Sequence, residues 1–405
     1  MNVIFLAPNY PSEMQHYTRG LAEVGARVLG VGEAPLESLP ESLKGHMASY
    51  LQVPRLLDED DVIARVEQWT RGHTIARVEG LWEPVVILAA RLRERLGVAG
   101  MSLHTVRGFR DKQLMKERVA AAGLRVPHSA KCGTEAQVRA AAEACGFPLI
   151  VKPIDGAGSA DTYRVDSAEE LDRVINAVRH IRVVSVEEFV DGEEFTYDAI
   201  CVDGKPVYEN VAQYLPRPLI ARSNEWISPV IITIRDLKQA PIAEGIAFGR
   251  KVVRALNMGT GFVHMEWYRT ASGEVVFGEI GCRPGGAHLV DQMNFTSDVD
   301  LFREWARAVC HRRIMTSTPR AYNVAIIFKR AQGQGRISRI DGLEAFGSRY
   351  GKYVVADTLS AVGTPRRNWK NTLLSDGFLI LRHPEFAEAK RIAEAAATQI
   401  TLYAE

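Results

Sequence analysis

The feature that most narrows the folds open to this chain is the stretch 262–286, FVHMEWYRTASGEVVFGEIGCRPGG, where two apolar runs carry one carboxylate each and meet at a turn. Phe262 to Tyr268 and Val275 to Ile280 are rich in Val, Phe, Trp and Tyr, which suits a pleated, half-buried surface, and Ala271-Ser272-Gly273-Glu274 supplies the Ser and Gly of a tight connection. With Ser272 and Gly273 as a two-residue loop, Tyr268 faces Phe277 and Glu266 faces Glu279. Directly opposed side chains stand ~5 Å apart at Cβ, and like charges there destabilise a sheet. Something positive has to compensate. A hard cation is the natural candidate, since Mg²⁺ uses one or two carboxylates and completes its octahedron with phosphate oxygens and water. Arg283, just before Gly285-Gly286, adds a fixed charge able to hold a phosphate or carboxylate bidentately. Taken alone, the hairpin fits a plainer reading equally: solvated acids pointing outward, with Arg283 paired to one of them.

Size and composition set the frame. The 405 residues, 46% hydrophobic and 24% charged, suit a soluble globular protein of two or three domains. A formal net charge of +1 and the lack of a basic run argue against nucleic acid or an anionic membrane as partner. The five cysteines are odd in number, far apart and without a Cys-x-x-Cys, which suits a reducing compartment and offers no zinc pattern. Neither the start, MNVIFLAPNYP, nor VVILAARL, interrupted by Arg91, reads as a signal peptide or membrane span, so a cytoplasmic protein is expected.

In chain order, apolar runs at Asn2–Ala7, Arg27–Val31, Tyr50–Val53 and Thr74–Val78 alternate with helical stretches, the start of a doubly wound α/β domain. Gly30-Val31-Gly32 lacks the third glycine of a dinucleotide fingerprint and follows the second strand, so an NAD site is discounted. Glu79-Gly80 falls at the carboxyl end of a strand, where open sheets bind ligands, and Glu79 reads either as a substrate contact or as a helix-entry acid. Residues 111–122 form a helix capped by Asp111, with Lys112 and Lys116 on one face; alone, that is a solvated face. The strand Phe147–Lys152 runs into PIDGAGSAD, where Gly156, Ala157, Gly158, Ser159 and Ala160 let backbone amides approach a phosphate beside Lys152, unless the segment is an ordinary glycine-rich turn. Glu187, Glu188, Glu193 and Glu194 flank a strand end and could accept ribose hydroxyls, while the backbone of Glu188–Val190 could meet an adenine edge. Residues 213–238, with three prolines, Arg217 and Arg222, read as a functional loop. After the hairpin come a helix at 298–311, three strands and a closing helix from 385 to about 400.

The order and spacing of these pieces closely resemble the ATP-grasp superfamily over essentially the whole chain: Lys112, Lys152 before a small-residue loop, the acidic strand end at 187–194, then Glu266, Glu279 and Arg283. The resemblance implies an α/β and α+β multidomain protein: an N-terminal doubly wound domain over 1–105, an ATP-grasp domain over 106–315 with a lid at about 125–188, and a C-terminal lobe over 316–405 like that of biotin-carboxylase-type members. It implies ATP and Mg²⁺ or Mn²⁺ as cofactors. Lys112 and Lys152 match the phosphate-binding lysines, Gly156 to Ala160 the loop over them, Glu187, Glu188, Phe189 and Val190 the adenine hinge, and Glu194 the ribose acceptor. Glu266 and Glu279 match the metal ligands, and Arg283 with Gly285 and Gly286 the site of the acyl phosphate or incoming carboxylate. Family members are often dimers, so a homodimer is an open expectation.

One departure matters. The family often reads Glu-x-Asn-x-Arg where this chain has Glu279-Ile280-Gly281-Cys282-Arg283, so a third metal ligand is replaced by Gly281. Some amino-acid ligases of the superfamily share a small residue there. Cys282 reads as a packing residue, and His288 as either a base or a structural histidine. The implied chemistry is attack of a small carboxylate on the γ-phosphate of MgATP, followed by capture of the acyl phosphate by an amine. Alternatives are a biotin-carboxylase or carbamoyl-phosphate-type enzyme, whose catalytic residues find no match in 213–222, and a non-catalytic nucleotide-binding module, motivated by Gly281.

Overall fold

The computed structural model of the protein describes residues 1–154, 161–315, 319–372 and 374–405; Gly156, Ala157, Gly158 and Ser159 lie outside the described residues. At the amino end, β1 (Asn2–Leu6), β2 (Arg27–Gly32), β3 (Ser49–Gln52) and β4 (Ile75–Gly80) form a parallel sheet in the order β3-β2-β1-β4. Val3, Ile4, Phe5 and Leu6 are all fully buried, as a strand covered by helices on both faces requires. The helix Met14–Glu23 ties this sheet to the rest of the chain, because Tyr17 meets Phe302 and Trp305 edge-on at ring-centroid distances of 4.8 and 5.2 Å.

A second sheet, order β5-β8-β6-β7, consists of β5 (Ser129–Cys132), β6 (Leu149–Pro153), β7 (Tyr163–Val165) and β8 (Val184–Glu188), all antiparallel. Its own core, Leu149, Val151, Val165, Leu171 and Val186 among others, is separate from the larger ones, so this layer carries its own stability.

The largest sheet has eight antiparallel strands in the order β13-β12-β9-β10-β11-β14-β18-β17. Its strands are β9 (Glu193–Val202), β10 (Lys205–Leu215), β11 (Val230–Thr233), β12 (Gly261–Arg269), β13 (Val275–Gly281), β14 (Asn323–Phe328), β17 (Val354–Asp357) and β18 (Phe378–His383). Strands from beyond residue 316 therefore continue the same sheet as the hairpin. A small sheet of β15 (Gln332–Gly333), β16 (Ile337–Asp341) and β19 (Thr401–Ala404) stands beside it. One face of the large sheet packs Phe195, Tyr197, Met265, Trp267, Phe277 and Ile280 into an apolar core. The opposite face packs Ile200, Tyr208 and Phe262 into a second apolar core and is open beyond them, toward Glu194, Glu266 and Glu279.

Two sequence expectations change here. Val230–Thr233, inside the segment read as a loop, is a fully buried strand between β10 and β14. Pro216, Pro218 and Pro229 hid it, because a four-residue strand is too short to show its period against three breakers. In the hairpin, Tyr268 faces Val276 and Trp267 faces Phe277, one residue away from the expected pairing, since the turn leaves three residues between Thr270 and Glu274. A bulge at Gly278 then shifts the register back, and Glu266 faces Glu279 as expected. Gly278 is required there: a Cβ would lie 2.7 Å from the Glu266 carbonyl oxygen.

Gly278→Val is accordingly expected to cost roughly 1–3 kcal/mol by overpacking, read as a lowered Tm. Gly273→Asn, at φ +87° in the turn, should be nearly neutral because Asn tolerates that region. Equal Tm for Gly278→Val and wild type would contradict the bulge account.

Candidate active site

Directly paired residues of an antiparallel sheet share a face. Pairing sets Glu194 against Tyr268, Thr196 against Glu266 and Asp198 against His264 across β9 and β12, and Glu279 against Glu266 and Gly281 against His264 across β12 and β13. The open face thus carries Glu194, Asp198, Glu266 and Glu279 together. Such crowding needs cations. Lys112 Nζ is 2.7 Å from Glu279 Oε1, Arg217 Nε is 3.1 Å from Glu194 Oε2, and His264 Nδ1 is 2.6 Å from Asp198 Oδ1. Among the described residues Glu266 receives the Tyr214 hydroxyl, at 3.2 Å, and has no Lys or Arg at ion-pair distance. Burial raises the Glu194 carboxyl, the like charge of Glu266 adds to the shift, and Arg217 opposes it without cancelling it.

The second sheet supplies the facing charges. Lys152, on β6, places Nζ 2.9 Å from Glu187 Oε2, and Lys116 closes on the other oxygen of the same carboxylate. Burial by itself would raise Glu187; the two lysines outweigh it and hold the group well below the usual carboxylate range. Lys116 is pushed down to about 8, burial exceeding the pull of Glu187. Its ammonium makes an ion pair without a well-directed hydrogen bond, so it is short of acceptors. The solvated face expected for this helix is overturned: Lys112 and Lys116 are 5% and 3% exposed. Glu187 is also committed to lysines, so its side chain offers no free edge to an adenine. Glu188 is held by Arg125 at 2.6 Å and by the His128 amide at 3.1 Å. The Val190 carbonyl accepts from Arg217 at 2.9 Å, and that guanidinium lies over the rings of Phe189 and Tyr268 at 5.0 and 4.9 Å.

At the other end of the acid row, Arg283 and Arg110 both bind Glu83, a residue the sequence reading passed over. Glu83 stays at about 2 because the two guanidinium groups, Arg283 first, overcome its burial. Gly281 lies beside this pair: a Cβ there would sit in ordinary contact with it, 3.5 Å from Glu83 Oε2 and 3.4 Å from the Arg283 side chain. Glu79, the expected substrate contact, does not line the cleft. It lies near Arg93 and Arg77 on β4, and burial pushes it up to about 7 against both. Glu83 follows the end of β4 by three residues and lines the cleft where Glu79 does not. His288 binds Asp291 at 2.7 Å and donates its amide to Glu13 at 3.0 Å. Cys282 is buried, and burial pushes its thiol up to about 12, which suits a packing residue.

Of these groups Lys112, Lys152, Glu187, Glu194, Arg217, Glu266, Glu279, Glu83 and Arg283 line one cleft of about 820 Å³, together with Gly285 and Gly286. Among the described residues no three His, Cys, Asp or Glu side chains converge as a self-sufficient metal cage. Two opposed carboxylates, one of them without a Lys or Arg partner among the described residues, are instead what a hard cation shared with phosphate oxygens requires. No described helix is long and apolar enough to cross a membrane.

Comparison with known proteins agrees with this geometry. Residues 145–291 match the ATP-grasp domain family. An L-arginine-specific L-amino acid ligase of Bacillus subtilis is 27% identical over 214 residues, 51% of this chain and 51% of the relative, so the match spans about half of that protein's length. The solved L-amino acid ligase of Bacillus licheniformis superposes with a TM-score of 0.78 at 19% identity, covering 100% of this chain and 98% of that one. The N5-carboxyaminoimidazole ribonucleotide synthetase of Thermotoga maritima does so with 0.70 at 15%, covering 100% and 99%. At these identities the solved structures establish the fold.

The Glu83 pairs give a pH prediction. A carboxyl depressed to about 2 in the folded state contributes stability that is fully present above its unfolded value near 4.5 and is lost as pH falls toward 2. Its size is about 3 kcal/mol. Glu83→Gln should therefore be less stable than wild type at pH 6, with the gap closing between pH 4.5 and 2. A Tm difference independent of pH would contradict the assignment.

Proposed function

We propose that this chain, which carries an ATP-grasp domain and has that fold throughout, is an ATP-dependent ligase joining a small carboxylate to an amine, with amino acids or short peptides as the substrate class. The observation that carries the reading is Glu266 opposed to Glu279 with no Lys or Arg of its own among the described residues, on a floor where Glu279 and Glu194 are each paired with one. The ligases among the relatives and the match to the domain family support it.

In this reading Glu266 and Glu279 hold Mg²⁺ with the nucleotide phosphates, which supplies charge neutralisation at the transferring phosphoryl group. The remaining work belongs to the chain. Lys112 and Lys152, each already within 2.9 Å of an acid, stand where they can exchange part of that pairing for phosphate oxygens. Glu194 and the Val190 carbonyl would take the nucleoside, and seating it displaces the Arg217 guanidinium that now occupies both acceptors. An oxygen of the carboxylate substrate attacks the γ-phosphorus as the bond to ADP breaks with its electron pair on ADP. Arg283, fixed from behind by Glu83, then faces the acyl phosphate. The amine forms the C–N bond, and phosphate leaves with the C–O pair.

The test is release of ADP and phosphate from MgATP against amino acids, dipeptides and other small carboxylates, singly and in pairs. Turnover that needs two partners is expected. Glu266→Gln and Glu279→Gln should each lower it by about 100-fold or more, the scale of removing one preorganised charge contact. Unchanged turnover in both variants would sink the metal-site assignment.

A further inference from the structure

The cleft has a second pole, across the sheet from the acids, that the nucleotide does not use. Leu219, Arg222, Pro229, Phe328, Arg330 and Lys370 line it. Elsewhere in the cleft the cations are matched: Lys112 with Glu279, Lys152 with Glu187, Arg217 with Glu194, Arg283 with Glu83. Here the acceptors are neutral. Arg330 Nη1 donates to the Ala221 and Asn224 carbonyls at 2.7 and 2.8 Å, and Arg222 Nη2 to the Lys370 carbonyl at 2.9 Å. Arg330 Nε is buried with no acceptor among the described residues. The Arg330 guanidinium lies 4.5 Å over the Trp369 ring and Lys370 Nζ 5.6 Å from it, which holds two cations close together on one aromatic. Glu225, the nearest acid in sequence, is bound by Arg366. Burial lowers Arg330, the charge of Arg222 adds to it and Glu225 opposes both without cancelling them; burial lowers Arg222 as well.

The geometry points to an anion site: we propose that this pole holds the carboxylate or phosphate monoester at the far end of an extended substrate whose other end lies at the acid-lined floor. The proposal rests on the ligase reading for the chemistry at the near end only. Length follows from the fold. The acid strand β12 and Arg330's strand β14 are four steps apart in the sheet, about 19 Å at the usual strand spacing. The path between them runs past His288, whose ring lies 4.9 Å from that of Phe378, which in turn stands 5.9 Å from that of Phe328. A free amino acid is too short to bridge the two poles.

The test is direct binding by calorimetry, with a non-hydrolysable ATP analogue present. The probes are ω-amino acids and ω-aminoalkyl phosphates of graded length, each against its uncharged amide or alcohol. At the best length the anionic probe should bind at least about 10-fold tighter than its neutral partner, and the phosphate and carboxylate series show which anion the pole prefers. The double variant Arg222→Gln/Lys370→Gln should abolish the preference while its Tm and affinity for the ATP analogue stay as in wild type. Arg330 is left intact because its carbonyl contacts also brace residues 221–224. Equal binding of charged and neutral probes at every length, or a preference that survives in the double variant, overturns the proposal. Absence of ADP release with every substrate pair would count against the ligase reading alone.

Discussion

Four carboxylates on one face of a sheet are the constraint from which the rest of this structure follows. β9, β12 and β13 hold Glu194, Asp198, Glu266 and Glu279 within two strand spacings of one another, and a sheet tolerates that only if positive charge is delivered to it. The chain delivers it from two directions, Lys112 from the helix Lys112–Ala121 and Arg217 from the segment after β10, while Asp198 meets a ring nitrogen of His264 on β12. Lys152 and Lys116 meet a fifth acid, Glu187, above them. Among the described residues Glu266 has neither a Lys nor an Arg at ion-pair distance. A site built this way is poised for a ligand that brings both a cation and a chain of anionic oxygens, because each lysine can turn from a carboxylate to a phosphate at little electrostatic cost.

Much of this was legible in the sequence, though not always for the right reason. The facing of Glu266 and Glu279 came out as expected although the turn is a residue longer, because the bulge at Gly278 compensates. No period-two argument can see a bulge; its sequence signal was a lone glycine inside a strand, which marks a bulge or a close backbone approach. Lys112, Lys152, Glu194 and Arg283 are brought into the cleft as their spacing implied. Glu187 is there too, as a partner of lysines.

What stayed hidden depends on contacts between distant segments. Lys116 looked like half of a solvated helical pair because nothing local tells which helix face will be covered by β8. Glu83 could be recognised only once the loop after β4 was known to stand beside Gly281 and to reach Arg283. Val230–Thr233 was concealed by flanking prolines, although it joins β10 to β14 and so carries the large sheet from the acid floor to its basic pole.

The claim on which the account turns is that the carboxylate substrate is activated as an acyl phosphate on this floor. It is tested most directly by following ¹⁸O from a labelled carboxylate during turnover with MgATP and an amine. The account predicts one ¹⁸O atom in the inorganic phosphate for each amide formed. Unlabelled phosphate, or label appearing in AMP, would contradict it.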